Sequence, residues 1–149
     1  MGGRCRDAVV QDGIVIARVW VAAWQAAYAG LMPAEYLAGL NAEAVLPGFE
    51  RRLRANLPTL VVELDGEIVG FSAYDTSRDS DSGPKTGEVF AINLHPSCWR
   101  RGLGRELLRE TQQRLGGPTA WVRWNDVRQQ WQECNVGWRS RSLWLSCLH

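Results

Sequence analysis

Residues 95–105 combine glycine and arginine at a spacing that suits the binding of a phosphate group. The glycines and arginines of this segment are Gly102, Gly104, Arg100, Arg101 and Arg105. The first turn of a helix presents backbone N–H groups without partners and the positive end of the helix dipole, so it attracts anions. Glycine at such a position lets a ligand approach the backbone without meeting a Cβ atom. The segment therefore predicts a site for a phosphorylated ligand.

Two familiar phosphate-binding patterns do not match this segment. The dinucleotide fingerprint requires a third glycine where Leu107 stands. The P-loop requires Gly-Lys followed by Ser or Thr, and the single lysine of the chain, Lys85, is elsewhere. From these residues alone, an ordinary glycine-containing start of a helix is the alternative interpretation.

The flanking residues predict the elements that position this segment. A strand over Glu88–His95 precedes it, and a helix over Gly102–Leu115 follows it, with leucines repeating on one face. A further strand is predicted over Thr119–Arg123. Because strand–helix–strand connections within one sheet are right-handed crossovers, this last strand should lie parallel to the strand over Glu88–His95.

The strands upstream are predicted to be antiparallel. Asp65-Gly66 is a strong two-residue hairpin signal between strands over Thr59–Leu64 and Glu67–Asp75. A first strand is predicted over Arg4–Val9. The sheet should therefore begin antiparallel and end parallel, which defines a mixed α/β fold.

The remaining predicted elements are helices. An amphipathic helix spans Asp12–Ala29 and ends at Gly30, and a short helix runs from Pro33 to Leu37. Another is predicted over Phe49–Asn56, and a last one, capped by Asn125 or Asp126, reaches about Val136. Three arginines of the Phe49–Asn56 helix are expected on its solvent side in preference to an anion site; they are Arg51, Arg52 and Arg54.

Composition limits the function classes. The chain has 149 residues, which suits a single domain over 1–149, with 46% hydrophobic and 22% charged residues. Its formal net charge of +1 argues against a nucleic-acid or membrane-surface partner, since both require a concentrated basic field. The sequence shows neither a signal segment nor an apolar run long enough to span a membrane, so a cytoplasmic protein is expected.

The cysteines do not form a metal-binding pattern. They are Cys5, Cys98, Cys134 and Cys147, and no two are spaced as in C-x-x-C. Zinc sites require closely spaced ligands, so we expect no metal and four reduced thiols.

Four segments in order resemble the GCN5-related N-acetyltransferase (GNAT) family. Residues 99–104 resemble its coenzyme A motif [Q/R]-x-x-G-x-[G/A], with Trp99 in place of the Gln or Arg. Residues 88–96 resemble the fourth strand of the family, 65–71 its second hairpin, and 17–33 its first helix and following loop. The resemblance is strongest over residues 5–123 and implies the GNAT fold.

The resemblance implies acetyl-CoA as co-substrate. Its pyrophosphate would be bound by backbone amides of the segment Arg100, Arg101, Gly102, Leu103, Gly104 and Arg105. Its pantetheine arm would lie against the backbone of Ile92, Asn93 and Leu94, where the fourth strand separates from the fifth. Asn125 matches a further family position at the cofactor.

The resemblance also implies an activity: transfer of acetyl to a primary amine of a small molecule or a protein, by direct attack. Glu88 matches a position where some members place the general base, although a surface strand carboxylate is the alternative. Trp24 and Tyr28, one helical turn apart, would line the acceptor pocket, and ordinary core residues are the alternative.

Residues 124–149 depart from the family pattern. The tyrosine that protonates the leaving thiolate in many members is replaced by Gln132, and Leu143–Cys147 is the only candidate for a terminal strand where the family has two. The alternative function is therefore a catalytically impaired coenzyme A-binding remnant or a frameshifted paralogue. An uncovered edge of the sheet would also favour a homodimer.

Overall fold

The structure, a computed structural model, describes residues 2–76, 86–115 and 121–124. The strands of this part of the chain are β1 Arg4–Asp7, β2 Thr59–Leu64, β3 Glu67–Thr76, β4 Thr86–Leu94 and β5 Trp121–Trp124. Its α-helices are α1 Gly13–Ala27, α2 Ala34–Ala38, α3 Ala42–Arg54 and α4 Leu103–Leu115. Short 3-10 turns lie at Val10–Asp12 and Pro96–Cys98.

The described strands form one mixed sheet in the order β1-β2-β3-β4-β5. The first three pairings are antiparallel and the β4–β5 pairing is parallel. This confirms the predicted mixed fold, including the hairpin at Asp65-Gly66 and the crossover through α4. The predicted helix over Asn125–Val136 and the strand over Leu143–Cys147 lie outside the described residues.

Helices pack on both faces of the sheet, and strand alternation separates two cores. On one face Val62 and Leu94 pack with Leu107 of α4. On the other face Phe71 packs with Ile16 of α1, in a cluster that also includes Leu53 of α3. Neighbouring residues along β4 therefore face different helices, which determines what each side chain can reach.

Gly70 allows β3 to pair closely with the end of β4. A Cβ atom at this position would lie 2.3 Å from Cδ2 of Leu94 and 2.9 Å from the carbonyl oxygen of Asn93. The glycine is thus required by close packing and brings β3 against the strand that leads to the phosphate-binding segment.

The predicted start of α3 was wrong. The helix begins at Ala42, after Asn41 accepts a hydrogen bond from the Glu43 amide at 2.8 Å, and it runs through Pro47. Proline inside a helix is costly, so the sequence favoured a later start. Tertiary packing overrides that preference, since Phe49 packs edge-on against Phe71 with ring centroids 5.4 Å apart.

The prediction for Arg52 was also wrong. Arg51 and Arg54 are exposed, but Arg52 turns towards the sheet. Its Nε donates to Oγ1 of Thr59 at 3.0 Å, and its Nη2 donates to the carbonyl oxygens of Pro58 and Tyr74. Its guanidinium carbon also lies 5.4 Å from the centroid of the Phe90 ring. Helical periodicity could not predict these contacts of Arg52, because they depend on the positions of β2 and β3 relative to α3.

Candidate functional site

The turn before α4 has the geometry of an anion site. Gly102 has φ +83°, a left-handed conformation that favours glycine, and Arg100 also has a positive φ, 63°. The Glu106 amide donates to the Gly102 carbonyl at 3.1 Å. Because this is the first α-helical bond, the amides of residues 103–105 have no acceptor within the helix. No heavy atom lies within 4 Å of a Cβ built on Gly102, so the approach is open.

The arginines of the turn are exposed to solvent. These are Arg100, Arg101 and Arg105. Among the described residues none of the three forms a hydrogen bond or an ion pair. Arg101 lines a surface cavity of about 410 Å³ with Leu64, Asp65 and Leu103. The positive charge at the start of α4 is therefore available to an anionic ligand.

Hydrogen bonds fix the path from β4 into this turn. The His95 amide donates to the Val69 carbonyl at 2.7 Å, and the Cys98 amide donates to the His95 carbonyl at 2.9 Å. The indole nitrogen of Trp99 donates to the Leu94 carbonyl at 2.8 Å, and its ring packs against the core beneath α4. Trp99 therefore has a defined structural role at the position where it departs from the family motif.

The predicted pantetheine-contacting residues lie at the end of β4 and are buried. Ile92, Asn93 and Leu94 pair in register with Ser72, Phe71 and Gly70 of β3, respectively. The registered pairs between β4 and β5 run only from Thr86–Trp121 to Val89–Trp124. The described part of β5 ends at Trp124, so both the separation of the two strands at residues 92–94 and the contact of these residues with a cofactor stay predictions.

Glu88 lies near the other end of β4. Its backbone is in register with Asp75 of β3 and with Arg123 of β5. It is four residues from Ile92, roughly 13 Å along an extended strand. Its side chain is outside the described part of the structure, so its role as a base stays a prediction.

The structure brings Trp24 and Tyr28 together in a row of aromatic rings on α1. Ring centroids are 4.7 Å apart for Trp20 and Trp24, and 4.5 Å apart for Trp24 and Tyr28. Tyr28 is only 6% exposed, whereas Trp24 is half-buried. Trp20 belongs to the same row although it was not among the predicted site residues; its spacing of four residues from Trp24 was the available signal.

A hydrogen bond joins the end of α1 to α2. Nε2 of Gln25 in α1 donates to the Leu37 carbonyl of α2 at 2.9 Å. α1 ends at Ala27, before the predicted stop at Gly30, and Gly30 has a left-handed φ of +81° in the turn that follows. The aromatic row thus extends from a helix that packs on β3, β4 and the Pro96–Cys98 turn into a loop of defined shape.

Four residues considered above lie outside the described residues: Asn125, Gln132, Cys134 and Cys147. Cys5 and Cys98 are free thiols, and burial, with the nearby Glu110 and Glu106, raises the pKa of Cys5 to about 11. In the described ranges no group of three or more His, Cys, Asp or Glu side chains is placed to hold a metal ion, and no helix is long and apolar enough to cross a membrane.

Comparison with known protein families assigns the chain. The model of the acetyltransferase (GNAT) family matches residues 18–132. The chain therefore belongs to the GNAT family, as the resemblance predicted. The match extends past residue 123, where the resemblance was expected to weaken.

Curated relatives include two bacterial enzymes. The chain is 32% identical over 105 residues to the uncharacterized N-acetyltransferase YuaI of Bacillus subtilis, covering 69% of this chain and 58% of that protein. It is 33% identical over 69 residues to the L-amino acid N-acyltransferase MnaT of Escherichia coli, covering 46% of this chain and 40% of that protein. The matched region therefore spans less than two thirds of either relative.

Solved structures share the fold. The PaiA N-acetyltransferase of Thermoplasma acidophilum in complex with coenzyme A has a TM-score of 0.60 at 21% identity, over 77% of this chain and 72% of that one. A GNAT family acetyltransferase of Brucella melitensis in complex with acetyl-CoA has a TM-score of 0.56 at 22% identity, over 79% and 71%. The GNAT fold is thus shared even where sequence identity is low.

Proposed function

We propose that this chain is an N-acetyltransferase, one domain over residues 1–149, that moves acetyl from acetyl-CoA to a primary amine. The amine nitrogen attacks the thioester carbonyl directly; a C–N bond forms, the C–S bond breaks, and coenzyme A leaves as a thiolate. The amine loses a proton to a base, and the thiolate takes one up. The proposal rests above all on the open, positively charged turn before α4.

The cofactor-binding part of the proposal follows from this turn. Amides of residues 100–105, with the left-handed Gly102 among them, would bind the pyrophosphate, and the nearby arginines would add charge. The pantetheine arm would follow the backbone of Ile92–Leu94, and Asn125 would contribute a further contact. Two relatives of the same fold, from Thermoplasma acidophilum and Brucella melitensis, carry coenzyme A and acetyl-CoA, which supports this assignment.

The catalytic part assigns roles on either side of the thioester. Glu88 would accept the amine proton, and its position along β4 makes relay through a water molecule the simplest route. Trp24 and Tyr28 would line the acceptor site. The name of the MnaT relative makes L-amino acids the first acceptors to test, ahead of peptide and protein amines.

A second candidate function is a coenzyme A-binding remnant that turns over slowly or not at all. The observation that favours it is Gln132, which cannot donate a proton as the tyrosine at this family position does. A product thiolate would then take its proton from water.

Ligand-induced stabilisation separates cofactor binding from turnover. At about 100 times the dissociation constant, acetyl-CoA should raise the free energy of unfolding by roughly 2.7 kcal/mol. S-acetylpantetheine, which lacks the pyrophosphate, is the matched control and should stabilise far less. An unchanged melting curve in millimolar acetyl-CoA would contradict the proposal.

Thiol release with a panel of amines then tests transfer. Coenzyme A released in step with acetylated amine supports the transferase. Stabilisation by acetyl-CoA without release of thiol for any amine supports the remnant instead.

A further inference from the structure

Asn93 is a buried polar residue near the end of β4. It is 5% exposed, and no hydrogen bond among the described residues involves its side-chain carboxamide. A carboxamide carries two N–H donors and an acceptor oxygen, and burying these groups without partners is unfavourable. Such a group is retained at a cost to stability, and ligand binding is a common reason.

The register shows which side of the sheet this carboxamide occupies. Asn93 lies directly opposite Phe71, and residues directly opposite on antiparallel strands share a face. Phe71 belongs to the core beneath α1 and α3, whereas Ile92 and Leu94 belong to the core beneath α4. The Asn93 side chain is therefore on the face that α1 covers.

This placement separates the carboxamide from the phosphate-binding turn. The turn opens α4, which packs on the opposite face of the sheet. The aromatic row of Trp24 and Tyr28 belongs to α1, which packs on β4 and on the Pro96–Cys98 turn at its end. The Asn93 carboxamide thus lies on the side expected for the acceptor and away from the side expected for the pyrophosphate.

We propose that the Asn93 carboxamide hydrogen-bonds the acyl acceptor and selects amines that carry a carboxylate or amide carbonyl on the adjacent carbon, as α-amino acids do. The inference rests on the proposed function and adds a specificity-determining residue to it. One N–H donates to the carbonyl or carboxylate oxygen of the acceptor, and the amide oxygen accepts from its amine. The group carries no charge, so it recognises this pair of atoms by hydrogen-bonding geometry.

A matched pair of acceptors tests the role. Leucine and 3-methylbutylamine share the amine and the alkyl chain and differ in the carboxylate. In the wild type, kcat/KM should favour leucine. Asn93→Leu should lower the ratio of the two kcat/KM values at least tenfold, mainly through the KM for leucine. The dissociation constant for acetyl-CoA should stay within about twofold of the wild-type value, because the Asn93 side chain faces away from the phosphate-binding turn.

Thermal unfolding provides a second readout that needs no turnover. Because Asn93→Leu replaces an unpartnered polar group by an apolar one of similar size, the Tm should rise by about 2–4 °C. Val89→Ala, on the same strand but in the core beneath α4, is the control. It should lower the Tm and leave the acceptor ratio unchanged.

The outcomes distinguish the two levels of the proposal. A lower Tm for Asn93→Leu, an unchanged acceptor ratio, or a large loss of acetyl-CoA affinity would overturn the acceptor role of Asn93 while leaving the transferase intact. A wild-type protein that binds acetyl-CoA but acetylates no amine would overturn the proposed transfer itself, and the acceptor role with it.

Discussion

The indole nitrogen of Trp99 donates a hydrogen bond to the carbonyl oxygen of Leu94 at 2.8 Å, which closes the turn between β4 and α4. The bond joins the last residue of the strand to the segment that carries the arginines and the left-handed Gly102. The large side chain of Trp99 thereby stabilises the shape of the turn. The family motif has Gln or Arg at this position. The departure from the motif is thus accommodated by a specific contact.

Trp99→Phe should weaken both the fold and cofactor binding. The ring is largely kept but the N–H is lost, so the free energy of unfolding should fall by about 1 kcal/mol, and the looser turn should bind acetyl-CoA several-fold more weakly. Urea unfolding and calorimetric titration measure the two effects. Trp20→Phe is the control, because the Trp20 indole forms no hydrogen bond among the described residues. The acetyl-CoA affinity of this variant should match that of the wild type.

Gly102→Ala and Gly66→Ala form a pair that separates backbone strain from ligand access. The two glycines have φ of +83° and +82°, and a Cβ on either would meet no atom within 4 Å. Both substitutions should therefore cost about 1–2 kcal/mol of stability through the left-handed backbone alone. Only Gly102→Ala should also reduce acetyl-CoA affinity. Equal affinities for the two variants would show that the phosphate site has been placed wrongly.

The order and type of the elements around the site could be predicted from sequence because local signals agreed with the tertiary structure. Asp65-Gly66 specified a hairpin, and the leucine repeat specified α4. The start of α3 could not be predicted, because Pro47 is tolerated where packing against Phe71 compensates for its cost.

The candidate site could be predicted only in part, for a related physical reason. Glycine and arginine spacing locates the phosphate-binding turn, since backbone geometry is encoded locally. The burial of Asn93 on the α1 side depends on strand register and on helix packing, which no motif records. The spacing of four residues between Trp20 and Trp24 placed Trp20 on the same face of α1, but that spacing is equally typical of a core residue.

The stability of the fold should fall in acid through Asp12. Burial alone would raise the pKa of this carboxyl, but hydrogen bonds from Arg6 and from the Val9 amide outweigh burial and lower the pKa below its ordinary value. The unfolded chain, whose Asp pKa is about 3.9, then binds the proton more readily than the folded one. The stabilisation by ionised Asp12 is therefore complete above the unfolded-state pKa and is lost as pH falls through the lower folded-state pKa.

Asp12→Asn tests this relationship. The variant should be less stable than the wild type at pH 7, and the difference should shrink as pH falls towards 2. Urea unfolding at a series of pH values measures it. Glu35→Gln, which changes an exposed carboxylate of α2, is the control and should change the stability at pH 7 by less than about 0.5 kcal/mol. A constant difference between Asp12→Asn and wild type at all pH values would refute the linkage.

Arg52 and its neighbour Arg51 should differ sharply in their contribution to stability. Arg52 bridges the Pro58 and Tyr74 carbonyls and Oγ1 of Thr59, so it fastens the end of α3 to β2 and β3. Arg52→Ala removes these charge-assisted bonds, although the Pro58 carbonyl still accepts from the Tyr74 amide at 3.1 Å, and should cost about 2 kcal/mol. Arg51→Ala, at an exposed position one residue away, should change stability by less than about 0.5 kcal/mol.

Urea unfolding of the two alanine variants and of Arg52→Lys measures this difference. Lysine keeps the charge, but its single ammonium cannot reproduce the fork of donors that guanidinium offers, so Arg52→Lys should fall between wild type and Arg52→Ala. If Arg51→Ala and Arg52→Ala lose stability equally, the three arginines form the solvent-exposed face that helical periodicity first predicted, and the contacts of Arg52 contribute nothing to the fold.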